Sequence, residues 1–363
     1  MLNRFALFFQ FLLIGAVVFL KLRADSAYFL TPDSHFYIQA AQNLLDGKGY
    51  RIVFEGKETF CAIWPIGYST LIAFVSWLTS FSIETASKIV NLLALAGCFW
   101  LIGQRFQQKA WFVALAFSAS SLIQLYTNTW SETVFLFFVL GFCTRPLPLR
   151  GGARGGVLWA IGAFLTRYAG VFLLIPLLIQ RKFRAAVYYS LFIGGYLFFN
   201  LYRTGTFTGG HGFWPEEPFG ERLLRGIRGL GEEFLFFGVR DWGLKQTALR
   251  VGMQWFIYGV AFLQCLIAGL IGWKWYKVKD SDACSMTKNV FFPVAVSYLF
   301  FTIAVYLTDA SVESLYFRRL APASLLFALG LLARASEQKV IFEQTKWLFV
   351  TFFALSIIHA LPK

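Results

Sequence analysis

Thr31-Pro32-Asp33-Ser34-His35-Phe36-Tyr37 sets a carboxylate, an imidazole, hydroxyls and a phenol into one short stretch, just after the first long apolar run of the chain. A carboxylate among hydrogen-bonding groups can serve as a general base, taking a proton from a hydroxyl within reach. Further polar residues with chemical potential interrupt or flank apolar runs: Glu132, Arg167, Tyr168, His211, Arg318 and Arg319. Acid, base and guanidinium groups gathered at one place would suit a substrate that carries a phosphate.

The elements that must position these residues are membrane spans. Of 363 residues, 58% are hydrophobic and only 14% charged, and 43 are Phe, a balance far from that of a soluble domain. The formal net charge is +14, but the basic residues punctuate the ends of apolar runs. That pattern sets membrane orientation and gives no reason to expect a nucleic-acid partner. The five cysteines (Cys61, Cys98, Cys143, Cys265 and Cys284) show no close pairing, so neither a disulfide framework nor a metal knuckle is indicated. The run from Phe5 to Leu20 is followed by Lys21-Leu22-Arg23, a poor cleavage site, and is read as an uncleaved first span.

With Arg4 on the cytoplasmic side, residues 24–85 form a structured outer loop. Its first helix carries Phe36, Tyr37, Ala40, Ala41, Leu44 and Leu45 on one stripe and lies along the membrane surface, ending at Asp46-Gly47-Lys48-Gly49. A second segment, Trp64 to about Thr79, is too short for an ordinary span and is expected to be interfacial or re-entrant. Spans are then expected over 86–103, over 111–126 and from Thr133 onward. The apolar stretch 157–180 holds Arg167 near its middle and has basic clusters at both ends, so it reads as a hairpin of two short helices with Thr166-Arg167-Tyr168 at its tip. A span over 186–200 leads to a long polar outer loop, 203–250, and four more spans end near Trp273, Leu307, Ala333 and Ala360. The expectation is an all-α, polytopic integral membrane protein of about eleven spans, with amphipathic juxtamembrane helices in the first outer loop, folded as a single domain over 1–363.

Counted this way, Asp33, His35, Glu132, Arg167, Tyr168, His211, Arg318 and Arg319 all emerge on the outer face. Each has an ordinary reading as well. Thr-Pro-Asp-Ser ahead of a helix looks like an N-cap; Glu132 can complement a helix start beside Ser131; Arg318 and Arg319 can be topogenic charges. His211, in a Gly-rich loop, can simply be exposed, and among the aromatics only Trp64 and Trp214 are placed for sugar stacking.

Several motifs resemble the membrane-embedded GT-C glycosyltransferases that use polyprenyl-phosphate-linked sugars, the protein mannosyltransferase and aminoarabinose transferase group. They are Pro32-Asp33-Ser34 with Tyr37, Ala40 and Leu44-Leu45; Pro65, Gly67 and Tyr68; Ser131-Glu132; Leu165-Thr166-Arg167-Tyr168-Ala169-Gly170; and Tyr316-Phe317-Arg318-Arg319 ahead of Pro322. The resemblance implies that Asp33 is the catalytic base and that the reaction inverts the anomeric carbon. It implies that Arg167, Arg318 or Arg319 steadies the departing phosphate, with His35 or His211 able to help if protonated. Glu132, His35, Tyr168 and His211 are candidates for the acceptor or a metal. Relatives with adjacent acids in the first loop, or a second acidic pair, bind a divalent metal, whereas here Ser34 and His35 follow Asp33, which leaves metal dependence open. The implied donor is a polyprenyl-phosphate sugar, and its lipid tail would lie among the spans and the membrane lipids. The acceptor is a glycan, lipid or protein on the non-cytoplasmic side of a bacterial inner or plasma membrane, with the 203–250 loop contributing to it. Two other readings use the same features: a transporter or flippase of an anionic lipid-linked substrate, and a surface-glycan polymerase or ligase.

Overall fold

A computed structural model describes residues 2–24, 30–54, 56–144, 154–209, 218–236, 249–277, 290–308 and 315–362. In chain order the helices are α1 (Leu2–Ala24), α2 (Pro32–Leu45), α3 (Gly67–Thr79), α4 (Ile83–Phe106), α5 (Ala110–Val113), α6 (Ser120–Thr127), α7 (Glu132–Thr144) and α8 (Arg154–Thr166). They continue as α9 (Leu174–Ile179), α10 (Phe183–Thr204), α11 (Phe219–Phe236), α12 (Leu249–Lys277), α13 (Phe291–Thr308), α14 (Phe317–Glu337) and α15 (Lys339–Ala360). Six helical stretches among the described residues are long and apolar enough to cross a membrane: Arg4–Ala24, Ile83–Ser118, Phe183–Thr204, Phe291–Thr308, Phe317–Glu337 and Lys339–Ala360. Four shorter apolar helices accompany them, Glu132–Thr144, Gly155–Thr166, Tyr168–Ile179 and Phe262–Trp275. The protein is a polytopic, all-α membrane protein.

Among the described residues the apolar stretches fall into long and short helical pieces for local reasons. The expected span over 111–126 is interrupted at Ala119, whose backbone is extended (φ −62°, ψ 138°) between a 3₁₀ turn at Ala114–Ser118 and α6. Ser118, Ser120 and Ser121 surround that break, and serine hydroxyls compete with the helix for backbone partners. The stretch 157–180 is two helical pieces, as expected. Arg167 is extended (φ −151°, ψ 134°) between α8 and a 3₁₀ turn at Tyr168–Leu173. Gly170 lies so close to the backbone of Ala163 and Phe164 that any Cβ there would overlap it, so the chain folds back on α8 directly after the break.

The structure adds two elements that the sequence reading did not place. Within the segment 24–85, β1 (Arg51–Phe54) and β2 (Lys57–Phe60) pair antiparallel, with Arg51 opposite Phe60 and Phe54 opposite Lys57. Ile52, Val53, Phe54, Thr59 and Phe60 are β-branched or aromatic, and Gly56 takes the positive φ (+77°) that the turn needs. The second is α11, which occupies 219–236 within the long polar stretch 203–250 ahead of α12 at Leu249. Leucines and an isoleucine recurring every three to four residues between the arginines of 219–236 support a helix that the charge count obscured.

The backbone packs as two compact units, each assembled from separated segments. One comprises 22–101 and 125–215; the other comprises 1–21, 102–124 and 216–363. In the first, Tyr37 and Ala41 of α2 pack with Tyr68, Ile72, Ala73 and Val75 of α3 and with Ala86 and Val90 of α4. On the other side of α2, Ala40 packs with Tyr50, Ile52 and Cys61, so the hairpin roofs the same helix. In the second unit α14 is the most enclosed span, with 83% of its apolar window buried.

Candidate active site

The first turn of α2 is fixed by its cap. Thr31 is extended and its hydroxyl accepts the backbone N–H of Ser34 at 3.3 Å, with Pro32 pre-setting the first helical φ. The N-cap foreshadowed by Thr-Pro-Asp-Ser is therefore Thr31, and Asp33 sits inside the first turn, half-buried. His35 is exposed on the same helix.

What holds this turn is a buried, largely polar strap, residues 127–133, running from the last residue of α6 into the first turn of α7. Thr127, Asn128, Thr129, Trp130, Ser131, Glu132 and Thr133 are all buried. Polar groups tolerate such burial only when hydrogen-bonded, and three elements supply the partners. From α2, Ser34 Oγ donates to the Thr129 carbonyl at 3.2 Å, the Thr31 hydroxyl accepts Trp130 Nε1–H at 2.8 Å, and the Tyr37 and Ser131 hydroxyls bond at 3.0 Å. From α4, Lys88 Nζ donates to the Thr127 carbonyl at 2.7 Å and to Thr129 Oγ1 at 2.8 Å, Asn91 Nδ2 donates to the Asn128 carbonyl at 2.8 Å, and Ser87 and Thr129 share a hydroxyl bond at 2.9 Å. From the break after α8, Arg167 forms an ion pair with Glu132.

The strap thus brings together the neighbours of Asp33 with Glu132 and Arg167. Residues 31, 34 and 37 grip 129–131, and Glu132 follows one peptide later, about 3.8 Å further along the Cα trace. Glu132 is wholly buried, and the side chain of Arg167 is 14% exposed. A carboxylate in that position orients the guanidinium of a residue whose extended backbone has already lifted it out of the helical path.

Tyr168 has a structural engagement. Its hydroxyl donates to the Ala62 carbonyl at 2.7 Å and accepts from Asn200 Nδ2 at 2.8 Å; Asn200 Nδ2 also donates to the Phe207 carbonyl at 3.0 Å. Tyr196 receives the Ile66 N–H at 3.1 Å, and Tyr50 donates to the carbonyls of Trp64 and Pro65. Gly67 leaves no room for a Cβ against the Leu165 carbonyl, so α3 and α8 approach at backbone distance. Burial holds the Tyr50 phenol well above its ordinary range, with Cys61 adding to the effect, and raises the Cys61 thiol as well. Trp64 packs at a tilt against Tyr37 of α2, ring centres 5.5 Å apart.

Arg318 and Arg319 belong to the other unit, in the first turn of α14, where Arg318 is buried and the Arg319 carbonyl accepts the Tyr298 hydroxyl at 2.9 Å. His211 and Trp214 lie outside the described residues. Among the described residues no three His, Cys, Asp or Glu side chains come together as a metal site would require.

Sequence reasoning passed over Lys88, Asn91 and Ser87. The signal was present: Lys88 is an ionisable residue inside the apolar run of α4, and such residues face a partner rather than lipid.

No protein-family description matches the chain, and no curated protein matches it. Two crystal structures are similar to it, both of ArnT from Cupriavidus metallidurans. The one bound to undecaprenyl phosphate has a TM-score of 0.41 at 12% identity, covering 90% of this chain and 61% of that one. The apo form has a TM-score of 0.41 at 14% identity, covering 90% and 60%. This chain spans about three fifths of their length. The likeness is loose.

Proposed function

We propose that the protein is an inverting membrane glycosyltransferase that moves a sugar from a polyprenyl-phosphate carrier to an acceptor hydroxyl at the non-cytoplasmic face, with Asp33 as general base. The observation that carries this reading is the strap: a buried stretch of six polar residues and Trp130 anchors the turn bearing Asp33 and, at its end, the Glu132–Arg167 pair. In the reaction, an Asp33 carboxylate oxygen takes the proton of the acceptor hydroxyl as that oxygen attacks the anomeric carbon. The bond from that carbon to the phosphate oxygen breaks on the opposite side, and polyprenyl phosphate leaves with the bonding pair. Arg167, aimed by Glu132, offers guanidinium N–H donors to the charge that develops on the phosphate. The strap's contribution is rigidity, since a base displaced by about 1 Å loses much of its effect. The reading is confined to the unit that holds Asp33.

The test is sugar transfer from a synthetic polyprenyl-phosphate sugar to water-soluble and lipid acceptors, comparing the wild type with Asp33→Asn. Transfer by the wild type with loss in the variant supports the base; full retention in the variant removes it. Movement of the intact lipid across liposomes with no sugar transfer replaces the enzyme reading with a transporter.

A further inference from the structure

Helix α11 presents three different faces. The first packs within its own unit: Gly226, Gly229 and Glu233 are buried. A Cβ on Gly226 would sit 2.9 Å from the Tyr306 ring, and one on Gly229 would overlap the Leu315 carbonyl, so the two glycines set the approach of this helix to its neighbours. Glu233 accepts Ser324 Oγ at 2.6 Å and Ser121 Oγ at 3.3 Å. The Tyr306 hydroxyl donates to the Arg222 carbonyl at 2.7 Å, and the Arg222 guanidinium lies over the Tyr306 ring at 5.0 Å.

The second face is apolar and outward. Phe219 is 63% exposed, Leu223 40%, Ile227 56% and Leu224 68%. Residues 219, 223 and 227 repeat every four positions and so form one stripe along the helix, with Leu224 at its margin. The third face carries Glu221, Arg225 and Arg228, all exposed. A helix surrounded by water would not leave four large apolar side chains on one flank and its charges on the next.

Its level relative to the membrane follows from what it touches. Tyr306 belongs to the last turn of α13 and Leu315 stands just ahead of α14, and both helices are long and apolar enough to span. The middle of α11 is therefore fastened to the ends of two spans, where a bilayer passes from acyl chains to head groups. Further along, Glu233 reaches Ser324, about two turns into α14, so the C-terminal half dips toward the hydrocarbon.

We infer that α11 is an interfacial helix whose apolar flank (Phe219, Leu223, Leu224 and Ile227) is covered by bilayer lipid, while Glu221, Arg225 and Arg228 face the head-group layer and water. The occupant is lipid because the boundary between the two flanks lies at the level fixed by the span ends, and the arginine stems can reach from that boundary to the head groups. This inference is independent of the proposed reaction.

Nitroxide accessibility tests it. The full chain, with C265S and C284S so that its remaining native cysteines are the buried Cys61, Cys98 and Cys143, is reconstituted into phosphatidylcholine–phosphatidylglycerol liposomes with a single labelled cysteine at F219C, L223C or I227C, or at E221C, R225C or R228C. The expected result is that oxygen, which concentrates in lipid, relaxes the first three labels several-fold more than a water-soluble nickel chelate does, with the order reversed for the second three. L224C replaces any apolar-flank variant that fails to reconstitute. Equal access of the chelate to both flanks overturns the inference in favour of a helix in water. Protection of the apolar flank from both reagents overturns it in favour of a protein cover.

Discussion

Helices α2 and α11 carry the same kind of amphipathic pattern and use it in opposite ways. In α2 the apolar stripe is the packed face: Tyr37, Ala40 and Ala41 are buried against the surrounding helices and hairpin, and the polar first turn is gripped by the strap. In α11 the packed face is made of Gly226, Gly229, Leu230 and Glu233, and the stripe of Phe219, Leu223 and Ile227 is what remains outside. Periodicity thus identifies an amphipathic helix without saying which side meets protein. In α11 the two glycines mark that side, because glycine admits a backbone approach that leucine cannot.

The comparison can be broken in four places. The largest effect belongs to α2: Asp33→Asn is expected to lower turnover by about 10²–10⁴-fold, the usual contribution of a general base, with donor KM little changed. An equal loss from an α11 surface substitution such as Arg225→Gln would erase the functional distinction between the helices. Next comes the ion pair that ends the strap. Arg167→Met leaves Glu132 buried without this partner and should cost about 3–5 kcal/mol of stability, read as a shift of the denaturation midpoint in detergent, whereas the double variant Arg167→Met/Glu132→Gln should recover part of it. An unchanged midpoint for the single variant would mean that the pair does not hold the α8 break.

Third, Gly229→Ala forces a methyl into the Leu315 carbonyl and should cost about 1–3 kcal/mol, while Gly220→Ala on the same helix, with open space around it, should be neutral or slightly stabilising. Equal thermal midpoints for the two would show that α11 is not fastened through its glycine face. The smallest effect is at the cap: Thr31→Ala removes the Ser34 N–H acceptor and the Trp130 acceptor together and should cost about 1 kcal/mol. A change in Trp130 indole hydrogen bonding, followed by ultraviolet resonance Raman, would accompany it.

Much of the fold was legible because its signals are long. Runs such as those of α1, α13 and α15 exceed what any other element needs, and Arg167 broke its apolar stretch where charge bookkeeping required a break. The hairpin at 51–60 was not, since four-residue strands carry too few alternations to stand out beside a Gly-punctuated loop. For the site, Asp33, Glu132 and Arg167 were visible as polar residues out of place. Their connection was not, because it runs through Thr129, Trp130 and Ser131, ordinary residues whose role depends on a tertiary partner about 95 positions away. Lys88 was visible as a charge inside the apolar run of α4, but its partners were not: the Thr127 carbonyl and the Thr129 hydroxyl lie 39 and 41 positions away.

The separation of those partners also sets an order of events. Ser34 and Thr129 are 95 residues apart in the chain, and residues 102–124 between them belong to the other unit. At about 5–20 residues per second, a ribosome finishes the turn bearing Asp33 some 5–20 s before it makes the strap that grips it. During synthesis the turn bearing Asp33 must wait, already made, for the half of its framework that has yet to be translated.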